Sequence, residues 1–375
     1  MGFFDKKQGA AEFKHAVLER YVPIFAQKLG LYSAGHRVHL IDGYAGPGWY
    51  GDDSPGSPAL LLGTATALAD RRNIECWFVE ENSSNYQQLS VNLEAASLTS
   101  RAHVFHGTMA DRLPEITRSV AAAPLFALVD PFGIGLPFDC LVSDLLRRAG
   151  KTEVLVSFIH AGVCRNAGRL TQQTANVAQQ KIAETVLPRL DANLGGSWWH
   201  DIWLRPAFDR DRVDKIRDCY VERVLEAAGT GWQCYQVPVA RSFGGATIYD
   251  MLLFTRNPQG PWFFNEAVSL ARGEVEESQA QRRSTAATQP TLWDVAENWV
   301  GEIEANLRAL VPPGGRPVRV IDQISAVYGR SLGYARARHV REAAERLHQQ
   351  GVIVNPIKGP VEKLHLVPRN AAQTA

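Results

Sequence analysis

RVHLIDGYAGPG, residues 37–48, is the stretch whose reading decides the fold. Arg37 to Ile41 has the length and apolar content of a short strand. It stops on Asp42, followed by glycines at 43, 46 and 48. A strand that feeds a helix through a glycine-rich turn marks a ligand-binding α/β sheet, because glycine lets the backbone come close to a ligand. A dinucleotide fingerprint would read Gly-x-Gly-x-x-Gly. Here the order is Gly-x-x-Gly-x-Gly, and an acid leads it.

Upstream, Phe13, Val17, Tyr21, Ile24, Phe25 and Leu29 share one helical stripe between Ala10 and Leu29. Downstream, a helix from about Ser57 to Ala69 precedes a strand, Ile74 to Val79, that ends on Glu80-Glu81. A helix Asn82 to Ala96, a strand His103 to His106 and a helix near Leu113 follow. The fourth strand, Leu125 to Val129, ends on Asp130-Pro131-Phe132-Gly133. A helix Phe138 to Arg148 leads to a fifth strand, Glu153 to Phe158. This alternation calls for a parallel sheet with helices on both faces, and ligands in such sheets bind outside the carboxyl ends of the strands. The glutamine-rich stretch Leu170 to Leu194 reads as a helical cover over one edge. After a helix Arg212 to Ala228, two strand runs, Trp232 to Val239 and Ala246 to Thr255, have no helix between them and should pair antiparallel. The expected fold is α/β: a Rossmann-like sheet of the class I methyltransferase type, parallel with an antiparallel edge hairpin.

The 375 residues suit two domains. Residues 1–276 form the first, 277–290 (ESQAQRRSTAATQP) read as a linker, and 291–370 form a small second domain. The latter offers helices Leu292 to Leu310, Val318 to Tyr328 and Tyr334 to Gln350, then short strands Val352 to Asn355 and Lys363 to Val367. That order describes a winged helix-turn-helix. The whole chain carries a net charge of only +1, but Val311 to Asn370 holds ten basic and four acidic residues, a local charge of +6. Arg336, Arg338, Arg341 and Arg346 fall on the third helix, where Tyr334, Arg338 and Arg341 are spaced to share a face. With Lys358 and Lys363 in the wing they suit phosphate contacts. Many winged helices dock only protein, and that alternative stays open.

A hydrophobic fraction of 45% and a charged fraction of 21% fit a globular chain with a sizeable core. Cys76, Cys140, Cys164, Cys219 and Cys234 are scattered, with no CxxC pair and no metal-spaced histidine. They read as reduced thiols in a cytoplasmic protein, and no metal site is expected. No secretory leader or membrane span is expected either. The Met1-Gly2 start lacks the hydroxyl residue of a myristoylation motif, because Lys6 stands there.

The chemistry concentrates at the strand ends. S-adenosylmethionine has no pyrophosphate to cradle but has a cationic amino group, which Asp42 can pair. Gly43, Tyr44, Ala45, Gly46 and Gly48 then supply the close backbone. Glu80 is placed to accept from two ribose hydroxyls, with Glu81 as the fallback if the register slips by one. Thr108 and Asp111, after the third strand, lie where adenine would be held, although solvated loop residues would look the same. The alternative for the whole loop is a tight turn with no ligand.

Asp130, Pro131, Phe132 and Gly133 are the candidate catalytic group. Methyltransferases of base amino groups place [Asp/Asn/Ser]-Pro-Pro-aromatic after the fourth strand, and this motif matches in part, with a single proline. An exocyclic amine shares its lone pair with the ring. A carboxylate and a carbonyl accepting its hydrogens localise that pair, while an aromatic ring stacks on the base. The block looks closer to the Asp-Pro-Phe-Gly of tRNA guanine-N2 dimethyltransferases. The alternative is a plain turn after a buried strand. Cytosine-C5 methylation would need a cysteine after Pro131, and Phe132 stands there. His36, His39 and His106 show no ligand spacing. Trp198, Trp199 and Trp203 read as packing. Arg165 and Asn166 sit where they could reach substrate or pair a helix carboxylate. Lys14 on the first helix is placed to face the cofactor cleft, but a snorkelling surface lysine is the favoured reading.

Together these blocks resemble the three-Cys-motif partner (TcmP) family. The resemblance rests on Lys14 with Ala16-Val17-Leu18-Glu19-Arg20-Tyr21, on Ile41 to Gly48, on Gly56-Ser57-Pro58, on Val129 to Gly133, and on Tyr249 to Pro258. It spans about residues 10 to 275, and the tail looks like the winged helix often appended in that family. It implies a methyltransferase-like protein using S-adenosylmethionine, a partner protein of phage type carrying three clustered cysteines, and a bacterial, phage or mobile-element setting. It supplies no substrate. The expected activity is methylation of an exocyclic amino group of a nucleic-acid base. The alternatives are a non-catalytic scaffold that delivers the cysteine-rich partner to nucleic acid, and a methyltransferase for a small molecule or protein.

Overall fold

Asp42 ends an inner strand of a seven-stranded sheet in the computed structural model, which describes residues 9–131, 133, 135–171, 177–240, 247–282 and 292–370. The strands are β1 Arg37–Asp42, β2 Asn73–Glu80, β3 Ala102–His106, β4 Leu125–Val129, β5 Thr152–Ile159, β6 Gln233–Ala240 and β7 Thr247–Thr255. Their order is β3-β2-β1-β4-β5-β7-β6. β1 to β5 run parallel, while β7 is antiparallel to both β5 and β6. This is the expected mixed α/β sheet with an antiparallel edge hairpin. The strand order reverses between β1 and β4, so the ligand crevice belongs at the carboxyl ends of those two strands.

The helices of this unit are α1 Gly9–Gly30, α2 Ser57–Ala67, α3 Ser83–Ala95, α4 Met109–Val120, α5 Phe138–Cys140, α6 His160–Ala167, α7 Val177–Leu194, α8 Trp199–Leu204 and α9 Asp209–Ala228. α5 continues as a wider π turn, Leu141–Leu146, and so departs from the single helix expected to Arg148. On one face α1 lays Tyr21 and Phe25 against Phe126 of β4. Tyr21 also donates to the buried Glu153 carboxylate at 2.5 Å, and Thr255 donates to its other oxygen at 2.9 Å. The opposite face packs Ala127, Val129, Val156, Phe158 and Leu252 under Leu141, Leu145, Leu190, Leu194, Trp199 and Tyr220. Every residue of β4 is buried, which is why that strand reads as an unbroken apolar run.

The chain divides into two compact units, Met1–Arg256 and Asn257–Ala375. The second holds α10 Gly260–Arg282, α11 Leu292–Leu310, β8 Val318–Arg319, α12 Ile324–Tyr328, α13 Ala337–Gln349 and β9 His365–Leu366. Residues 277–282 of the expected linker continue α10, and 283–290 lie outside the described residues. α10 binds its own unit: Trp262 Nε1 donates to the Ile321 carbonyl, Asn265 to that of Ala335, and Glu266 accepts from Arg336 and from the Ala337 amide. The helix expected over Val318 to Tyr328 is instead a strand, a 3₁₀ turn and α12. Its β-branched start, Val318-Arg319-Val320, pairs with the hairpin, where the Val320 amide donates to the Leu364 carbonyl at 2.9 Å. α13 starts at Ala337, so Tyr334 lies in the preceding turn and shares no helical face with Arg338 and Arg341. Among the described residues no helix is long and apolar enough to cross a membrane, and all five cysteines are free thiols.

Candidate functional site

The glycine-rich turn is pinned from both sides. The Gly43 amide donates to the Leu128 carbonyl and the Ala45 amide to that of Val79, each at 3.0 Å. Gly46 and Gly48 adopt φ of 62° and 86°, a region that side chains disfavour. A Cβ on Gly43 would collide with the Met109 side chain. The turn therefore has one shape, with Gly43 and Tyr44 lining a cleft of about 860 Å³. That size lies within the range of small-molecule sites, about 300–1,000 Å³. Glu80, Glu81, Thr108, Met109, Pro131 and Gly133 line it as well, so the tips of β1 to β4 converge on one space.

The two acids that lead these tips differ. Asp42 is fully buried: Oδ1 accepts from the Tyr44 amide at 3.1 Å, and Oδ2 makes no hydrogen bond among the described residues. Burial first, then the Asp130 charge, raises its carboxyl to about 6, while the Ser57 hydroxyl, the Tyr44 amide and the Lys14 charge pull it down. A buried carboxylate held by the Tyr44 amide and favoured by the Ser57 hydroxyl is a candidate anchor for a ligand that brings a cation. Glu80 has both oxygens engaged, accepting from the Gly46 and Asn82 amides at 2.7 Å each. It thus clamps the glycine turn onto the end of β2, with one lone pair on each oxygen left for a ligand. Glu81 is exposed on the cleft wall. Thr108 caps α4, with its hydroxyl accepting from the Asp111 amide and donating to the Asp111 carboxylate.

Asp130 is ion-paired with Lys14 of α1, and both side chains are largely buried, at 12% and 17% exposure. Lys14 is therefore a member of the site, not a snorkelling surface residue. The spacing of 116 residues gives sequence reasoning no signal for the pair. Pro131, Gly133 and Gly135 face the cleft, and Phe132 lies outside the described residues. A smaller slot of about 50 Å³ runs between Pro131, Leu136, Val156, Ser157, Phe158, Val163, Asn193 and Leu194. α7 closes the cleft with Arg189, Ala192 and Asn193, residues that no sequence motif singled out.

A second polar cluster went unnoticed in the sequence. His160, at the tip of β5, meets the Asp250 carboxylate at 2.5 Å, and Arg217 bonds Asp214 at 2.9 Å and Asp250 at 3.0 Å. Burial alone would raise Asp250, but the His160 hydrogen bond and the Arg217 charge hold it below the ordinary value. His160, Asp214 and Asp250 lie close enough to ligate an ion. The guanidinium already bonds both carboxylates, so the cluster is self-neutralised and serves the packing of α9 on the sheet. Trp199 and Trp203 are buried in the core, as their packing reading requires. His39 accepts from the Trp77 indole, and burial lowers it to about 4. Arg165 is exposed on α6, and Asn166 is buried.

In the second unit, Lys358, Lys363 and Arg338 are exposed. Arg336 is engaged with Glu266, Arg341 with the Gly359 carbonyl and Arg346 with Glu342.

No protein-family model and no curated protein matches the sequence. Solved structures do align. An O-methyltransferase of Bacillus cereus, in complex with SAH, shares 14% identity over 68% of this chain and 82% of its own, at a TM-score of 0.32. The O-methyltransferase TomG of Streptomyces achromogenes, with SAM, shares 14% over 67% and 90%, at 0.31. An rRNA methylase of Streptococcus thermophilus shares 10% over 62% and 93%, at 0.28. At these values the chain is similar to them and nothing about its chemistry follows.

Proposed function

We propose that the chain is an S-adenosylmethionine-dependent methyltransferase acting on an exocyclic amino group of a nucleic-acid base. The observation that carries this is a cleft lined by Gly43, Tyr44, Glu80, Glu81, Pro131 and Gly133, with the buried Asp42 carboxylate at the root of its glycine turn. A bound S-adenosylmethionine supplies the methyl group, activated on a sulfonium. Asp42 would hold the ammonium of its amino-acid part, the turn from Gly43 to Gly48 would give close backbone, and Glu80 and Glu81 would accept from its ribose hydroxyls. Asp130 would accept the hydrogens of the acceptor amine and take the proton that leaves nitrogen as the N–C bond forms and the donor's S–CH3 bond breaks, with S-adenosylhomocysteine as the other product. Lys14 holds that carboxylate in place.

The test is transfer of a labelled methyl group to three pools: mixed nucleic acid, denatured protein and small-molecule extract. Label in nucleic acid, lost when the bases carry no free amine, supports the reading; label in either other pool overturns it.

The second unit, with helices α10 to α13 and the paired strands β8 and β9, is read as a winged helix-turn-helix that brings the chain to nucleic acid. The three-Cys-motif partner and the cytoplasmic setting belong to the same proposal, through the resemblance to the TcmP family. Full-length protein with Arg338, Lys358 and Lys363 changed to Glu should bind duplex DNA with a shallower salt dependence. Each lost phosphate contact removes about 0.9 from the slope of log affinity against log salt. An unchanged slope in a fluorescence titration would make the unit a protein-docking module and favour the scaffold alternative.

A further inference from the structure

Charge is sorted across the cleft. The β2 tip presents the acids Glu80 and Glu81, while the α7 wall presents Arg189, the only cation among the described lining residues. Arg189 is exposed and makes no ion pair among the described residues. One turn on, Asn193 lines both the cleft and the smaller slot, and its Nδ2 is enclosed without a hydrogen bond among the described residues. Spacing of i and i+4 puts the two on one helix face. That face is held firmly: Leu190 and Leu194 are buried in the core, and Asp191 accepts from Trp199 Nε1 at 2.8 Å and lies 3.0 Å from His200 Nε2. A fixed wall that offers a guanidinium and an unsatisfied amide N–H is built for a ligand rich in acceptors. The wall stands over Pro131 and Gly135, which is the acceptor side of the cleft.

We propose that Arg189 and Asn193 form the acceptor subsite, with Arg189 gripping the phosphate of the nucleotide whose base is presented to Asp130 and Asn193 donating to that base. This rests on the methyltransferase reading and adds the part of the substrate it recognises outside the reacting amine. A guanidinium suits a phosphate because it offers several donors in a planar fork.

Nucleoside 5′-monophosphates of the four bases, and the matching nucleosides, are titrated by calorimetry into full-length protein saturated with S-adenosylhomocysteine. The best-bound monophosphate should bind about tenfold more tightly than its nucleoside, the gain of one charge-assisted contact. Arg189→Gln should erase that gain and leave S-adenosylhomocysteine affinity unchanged, and Arg189→Lys should keep part of it. If nucleosides bind and the phosphate adds nothing, the subsite is wrong and the base-methylation reading stands. If Arg189→Gln weakens S-adenosylhomocysteine instead, Arg189 holds the cofactor and the proposal fails. If neither nucleosides nor monophosphates bind, the subsite and the choice of a base as acceptor fall together.

Discussion

Asp130→Asn should lower methyl transfer by about 100- to 1,000-fold, the usual loss on removing a group that acts only in the transition state. Binding of S-adenosylhomocysteine should stay within a factor of about three, the scatter expected for a contact the ligand does not use. Asparagine is preferred to alanine because it leaves a hydrogen-bond acceptor for the largely buried Lys14, whereas alanine would strip that ammonium of its partner beside Asp42 and disturb cofactor binding for an unrelated reason. Asparagine keeps the shape and an acceptor oxygen for Lys14, but loses the ability to take a proton. Single-turnover transfer and calorimetry on the same sample separate the two effects. A variant that kept turnover and lost cofactor affinity would show that Asp130 serves the donor side.

Asp42→Asn should weaken S-adenosylhomocysteine by about 10- to 100-fold, the worth of a hydrogen bond to a charged partner. The pH profile gives a sharper readout. Burial lifts the Asp42 carboxyl to about 6, and only the carboxylate pairs an ammonium. Affinity should therefore fall as pH drops from 7 to 5, by up to about tenfold per unit below 6, and the asparagine variant should lose this dependence. The sign of the folding effect is opposite. A carboxyl raised in the fold binds its proton more tightly there than when unfolded, so the ligand-free protein loses stability as pH rises from 3.8 through about 6. The loss is on the order of 3 kcal/mol, and ligand binding offsets it. Flat affinity between pH 5 and 7 would mean that Asp42 does not touch the ligand.

The strand ends were legible because an apolar run that stops on an acid or glycine is a local signal. Asp42, Glu80 and Asp130 each follow such a run, and each stands at a strand tip in the structure. What α1 and α7 contribute was not legible, because a helix face is aimed by distant packing. Lys14 reaches Asp130 only because Phe13, Val17 and Tyr21 seat α1 on the sheet. Arg189 and Asn193 reach the cleft only because Leu190 and Leu194 face the other way, and no motif in the helix marks which of its polar residues will line the cleft. His160, Asp214, Arg217 and Asp250 come from three separate elements, with no spacing rule to connect them. The domain boundary was hidden for a different reason. Residues 277–282 are small and polar, as a linker would be, yet Glu, Gln, Ala and Arg also favour helix, and the turns of α10 before them carry the Trp262 and Asn265 contacts of the second unit.

Titration of purified full-length protein with S-adenosylmethionine and S-adenosylhomocysteine at pH 7.5 by calorimetry bears most directly on the account. It predicts one site per chain with a dissociation constant on the order of 1–100 μM, typical of a pocketed cofactor. Absence of heat with both ligands, from protein whose fold is confirmed by circular dichroism, would contradict it.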